Sequence, residues 1–73
     1  MNRYEKAIVA YDAFLKMRSR HYEAFDRKGD ALLQLGRYRE AINIYNAALK
    51  IEPHRKETIY ARGVTLRRLR SLK

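Results

Sequence analysis

A 34-residue echo runs through this chain. RYEKAI at residues 3–8 returns as RYREAI at residues 37–42. Sliding the sequence by 34 brings Arg3, Tyr4, Ala7, Ile8, Tyr11, Ala13, Leu15 and Lys16 onto identical residues at 37, 38, 41, 42, 45, 47, 49 and 50. Glu23, Gly29, Leu32 and Leu35 fall on identical residues at 57, 63, 66 and 69. These are 12 identities in the 39 pairs available, where chance at ordinary composition gives about two or three. Most of the matches are apolar or small, the types that set packing. A fixed period in this range marks stacked repeats, in which each unit buries its apolar face against the next.

Each unit reads as two helices. Tyr38, Ala41, Ile42, Tyr45, Ala48 and Leu49 recur at steps of three and four, one apolar stripe on a helix over 37–51. Pro53 ends that helix, because proline disfavours helical backbone in the residue before it. A second helix type covers 23–35. Gly36 sits just past its end, where a left-handed residue closes the last turn. The same pattern predicts helices over 3–18 and 56–70. With the 23–35 type labelled A and the 37–51 type labelled B, the chain reads B-A-B-A. The fold class is all-α, built of antiparallel helix-turn-helix units. Gly29 shares a face with Phe25 and Leu32, and Ala41 shares one with Tyr38 and Tyr45. Gly29 is therefore expected to face Ala41, with aromatic rings filling the space to either side.

Composition narrows the chemistry. The chain has 73 residues and no cysteine, so one small domain must fold without disulfides while burying only ~60% of its unfolded surface. His21 and His54 are far apart with no acidic cluster beside either, and read as surface loop residues. No metal site is expected. Asp26 and Asp30 are four apart on a helix, but on an open face they lack the enclosed, water-poor setting that general acid–base chemistry needs. No glycine-rich phosphate loop and no serine–histidine–aspartate set is present. The expectation is a chain with no catalytic residues and no cofactor.

No apolar run approaches the ~18 residues of a membrane span. The first residues carry Glu5, Lys6 and Asp12 among their apolar neighbours and do not form a signal peptide. Together with the lack of cysteine, this points to the cytoplasm and away from a membrane. The net charge is +9, concentrated at the end of the chain. Arg55, Lys56, Arg62, Arg67, Arg68, Arg70 and Lys73 stand there against Glu57. A basic end suits nucleic acid or another acidic partner, yet the arginine run at 67–70 has no interleaved aromatic on which bases could stack.

Phe25-x₂-Lys28-Gly29-x₂-Leu32, then Ala41-x₃-Tyr45, then Pro53, resembles the tetratricopeptide repeat, whose pattern is W-x₂-L-G-x₂-Y, A-x₃-F and P. Ala48 and Tyr38 complete the set of packing residues. The resemblance divides a single domain, 1–73, into a half repeat at 1–21, a complete repeat at 22–55 and a half repeat at 56–73. It implies a piece of a longer array and a short right-handed α-solenoid. Departures are present. Phe25 replaces tryptophan, and Phe14 stands where the complete repeat has Ala48. Ser19 stands where it has Pro53, and Arg70 where it has Gly36. Lys28 and Arg62 replace leucine, their stems expected along apolar surface and their charges in water.

The resemblance also implies function: a non-catalytic scaffold that binds a peptide or partner protein on the concave face lined by A helices. The A-helix residues turned that way are Glu23, Asp26, Asp30 and Leu33, followed by Glu57, Tyr60, Val64 and Arg67 on the last helix. Such a groove is acidic in its middle and mixed at its end, suiting a segment with a basic end beside an apolar or aromatic anchor. Some relatives hold a C-terminal carboxylate with lysine and asparagine on this face. Asp26 and Asp30 stand where such groups would be, which argues against that activity here. Two alternatives stand beside this reading: a nucleic-acid-associated helical module using the basic last helix, and a structural spacer in a longer array. Nucleic acid is the less expected partner. The first and last helices each lack a mate, so head-to-tail self-association is a further expectation, motivated by exposed Ile8, Phe14, Leu66 and Leu69.

Overall fold

The computed structural model describes residues 1–72. Lys73, counted above in the basic segment, lies outside the described residues. Four helices follow in order: α1 (Arg3–Met17), α2 (Tyr22–Gln34), α3 (Tyr38–Ile51) and α4 (Lys56–Arg70). Every boundary falls within one residue of the periodicity-based expectation. The Cα envelope measures 37 × 33 × 14 Å, thin enough for two layers of helix.

Local chemistry explains where the helices begin and end. Asn2 caps α1 through a capping box: its side chain accepts from the Glu5 N–H at 2.8 Å, and Glu5 accepts from the Asn2 N–H at 3.0 Å. At the end of α2, Gly36 takes φ +78°. The Gly36 N–H then donates to the Leu33 carbonyl and the Arg37 N–H to the Leu32 carbonyl. This is the paired closure that a left-handed residue permits. It turns the chain back in three residues and lays α3 against α2. Arg37 and Glu40 pair at the start of α3, at 2.7 and 2.8 Å. The hydrogen bond from Arg37 holds the exposed Glu40 carboxyl below its usual range.

The core is small and largely alanine. Tyr45, Ala41, Leu32 and Ala48 are fully enclosed, with Ala24, Ala31 and Ile8 nearly so. Helix α2 touches α1, α3 and α4, whereas α1 and α3 do not meet among the described residues. The stack therefore bends, with the A-type helices α2 and α4 on its inner side.

Three packing expectations are corrected. Gly29 does not take an alanine as its closest neighbour. A Cβ built on Gly29 would lie 2.6 Å from Cε1 of Tyr45 and 2.8 Å from its Cδ1. The missing side chain makes room for a buried ring, because the ring's hydroxyl is drawn across α2 to Asp30 at 2.5 Å. Ile8 is not exposed but buried against α2 in the core cluster, since α1 packs on α2. Leu66 and Leu69 are half-buried, and Phe14 is exposed. Nor do the charges of Lys28 and Arg62 simply reach water. Lys28 pairs with Asp12 on α1, and Arg62 donates to Asn46 on α3 at 2.7 Å. These are the same two positions one period apart, so a polar clasp joins each A helix to the preceding B helix where the family pattern has leucine.

Candidate functional site

A cleft of about 260 Å³ opens between α2 and α4 on the inner side of the bend, lined by Glu23, Asp26, Arg27, Asp30, Tyr45, Arg55, Glu57, Thr58 and Ala61. It is built from the bottom by one buried carboxylate. Asp26, only 8% exposed, accepts from the Thr58 hydroxyl at 2.6 Å and from the Arg55 guanidinium at 2.5 Å. Arg55 also lies over the Tyr22 ring at 5.0 Å, so its plane is fixed from two directions. The bond that Arg55 donates to Asp26 raises it above the ordinary arginine value, and a guanidinium is charged at every accessible pH in any case. Asp30 accepts from the buried Tyr45 hydroxyl. Among the described residues no buried side-chain nitrogen or oxygen lacks a partner.

These bonds divide the carboxylates into two kinds. Asp26 is committed to holding α4 on α2, and one oxygen of Asp30 to holding Tyr45. Glu23 and Glu57 stand exposed on the two walls. The cleft thus carries four carboxylates against two guanidiniums, an acidic pocket on a chain of net charge +9.

Of the eight groove residues expected from sequence, Glu23, Asp26, Asp30 and Glu57 come together in this cleft. Leu33 packs against the core cluster instead. Tyr60 is 73% exposed, Val64 is half-buried and Arg67 exposed, and none of the three lines the cleft. The lining residues that sequence reasoning missed are Arg27, Tyr45, Arg55, Thr58 and Ala61. A signal for two of them was present. Thr58 occupies the register position of Ala24, and a hydroxyl at a buried position requires an acceptor. Arg55 occupies that of His21, just ahead of its helix. His21 itself is no simple surface residue. Its Nδ1 accepts from the Ala24 N–H at 3.2 Å at the start of α2, and Phe14 meets it edge-on at 4.9 Å.

Burial pushes the Tyr45 phenol well above its ordinary value of 10.0, and the bond to Asp30 adds to the shift. The sign of the linkage follows. Tyr45 contributes its full stability below about pH 10, where the unfolded phenol is still protonated. That contribution falls as pH rises further, because the unfolded chain ionises and the folded one resists. Tyr45→Phe is expected to cost about 1 kcal/mol at neutral pH through the lost bond and to flatten the stability decline above about pH 10. Urea melts across that window check it; identical declines for both proteins would contradict it.

The family model of the tetratricopeptide repeat matches residues 1–56 and again residues 27–72. No curated protein matches the chain, and no solved structure matches it.

Proposed function

We propose that this chain, which belongs to the tetratricopeptide-repeat family, holds an extended peptide with basic side chains in the cleft between α2 and α4. Repeats of this family are interaction modules that bind proteins and are typically non-catalytic scaffolds. The partner chemistry rests on one observation: the acidic balance of the cleft against the strongly basic remainder. A lysine or arginine side chain entering there meets Glu23 and Glu57 from opposite walls, with the second oxygen of Asp30 below. Tyr60, Val64 and Arg67 continue along α4 and offer an apolar surface and a charge to the flanking part of the ligand.

Fluorescence anisotropy with labelled peptides tests this. Peptides carrying lysine or arginine beside an aromatic residue are expected to bind, and versions with glutamate in those places are not. The double substitution Glu23→Gln and Glu57→Gln should weaken binding by about 3- to 10-fold while leaving the fold intact, because both side chains are exposed. Affinity should also fall with salt. Unchanged affinity in the double variant would exclude the cleft. Tight binding of duplex DNA with a salt slope near about −0.9 per phosphate contact, untouched by that variant, would favour the basic face of α4.

A further inference from the structure

The cations of this chain are unevenly placed in space. The start of α1 lies against the end of α2, where Arg3, Tyr4 and Ala7 share a hollow with Ala31 and Gln34. The start of α3 lies against the end of α4, where Gly36, Arg37 and Arg39 border Leu69 and Leu72. The turn at Gly36 joins these two corners into one edge. That edge collects Arg3, Lys6, Arg37, Arg39, Arg68 and Arg70, all exposed. The carboxylates beside them are already engaged. Glu5 accepts from the Asn2 N–H, and Glu40 accepts from Arg37. Among the described residues, Arg3, Lys6, Arg39, Arg68 and Arg70 have no ion-pair partner. At the opposite edge, Glu23, Glu52 and Glu57 are interspersed with the cations.

We propose that this edge binds the phosphate backbone of duplex nucleic acid, as a surface separate from the cleft. Five of its six cations are arginines, whose planar forks pair with phosphate through two N–H donors. They stand on three helices or at their ends: Arg3 and Lys6 on α1, Arg37 and Arg39 at α3, Arg68 and Arg70 on α4. Packed helix axes lie about 8–10 Å apart, and a duplex carries one charge per ~1.7 Å of its length. Side chains on different helices thus meet different phosphates, and each contact releases a counterion. A duplex is favoured over a single strand because this edge offers no exposed ring on which an unpaired base stacks. Its tyrosines, Tyr4 and Tyr38, are half-buried. Contacts to phosphate alone carry no sequence information. A neighbouring repeat leaves the edge open. In the 34-residue register Arg3 corresponds to Arg37, and Arg68 and Arg70 to Gln34 and Gly36. Gln34, Gly36 and Arg37 are exposed although α2 and α3 have helices packed on both sides.

Fluorescence anisotropy with short labelled DNA duplexes of unrelated sequence tests this. All are expected to bind alike, with a log–log salt slope of about −3 or steeper, since each phosphate contact adds about −0.9. Arg3→Gln combined with Arg39→Gln removes one cation from α1 and one from α3. Affinity should fall at least about fivefold at low salt, and the slope should become shallower by about 1.8. The melting point of this variant should be no lower than that of the native chain, because both arginines sit in the first turn of a helix, where positive charge is unfavourable. Arg18→Gln combined with Arg20→Gln removes the same charge from the opposite edge, at exposed positions, and should leave the slope unchanged. Equal losses in the two double variants overturn the proposal, because net charge alone then accounts for both. A loss confined to Arg68→Gln with Arg70→Gln overturns it too, since α4 then acts alone. So does a native chain that binds no duplex, or that binds only vesicles of anionic phospholipid. Peptide binding in the cleft is decided separately, by the Glu23 and Glu57 variant.

Discussion

Gly29→Ala should destabilise this protein by about 2–3 kcal/mol, reversing the usual sign of the substitution. In a helix interior, glycine to alanine ordinarily stabilises by up to about 1 kcal/mol. Here the added Cβ would stand 2.6 Å from Cε1 of Tyr45. The ring cannot retreat, because it is wholly buried and its hydroxyl is bound to Asp30. Either the α2–α3 hairpin opens or the ring abandons that bond. For a domain of this size the loss corresponds to a fall of roughly 10–20 °C in melting temperature. Gly63→Ala is the matched control: its methyl enters empty space, and it should stabilise by up to about 1 kcal/mol. Thermal melts of the two variants beside the native chain suffice. A Gly29→Ala protein as stable as the native one would show that the hairpin is not packed on this ring.

Asp26→Ala has the other large expected effect, a loss of about 2–4 kcal/mol. The substitution strands the hydroxyl of Thr58, a residue only 1% exposed, and releases Arg55 from its ion pair. The damage should fall on α4, whose amides lose hydrogen-exchange protection before those of α2 and α3. Adding Thr58→Ala should recover part of the loss, because the orphaned hydroxyl is gone and an alanine already serves at the equivalent Ala24. The double-mutant cycle is expected to give a coupling of at least about 1 kcal/mol. Strict additivity would mean that Asp26 and Thr58 do not act as a pair.

Period and punctuation were the legible part of this protein. The 34-residue repeat and the apolar stripes placed four helices to within a residue. Gly36 was readable as a left-handed closure because few other residues adopt that backbone. The acidic side chains of the groove were readable as sharing one direction on a helix, since that depends only on spacing along a single element.

Everything that required knowing which side chain meets which across elements was decided by the tertiary structure. Spacing alone puts Gly29 and Ala41 on facing sides of a hairpin; it does not say that a tyrosine one turn further on crosses over to the glycine. Asp26 and Asp30 are alike as residues on α2. Only the arrival of Thr58, Arg55 and Tyr45 from other helices makes one a buried anchor and the other a partly free charge. Ile8 is apolar and stands on the first helix, so its burial depended on how fully α2 covers α1. The physical reason is common to all of these. Periodicity reports the face a residue occupies on its own helix, while burial, pairing and pKa depend on the distance and angle between helices. Those are set by the sum of all contacts at once.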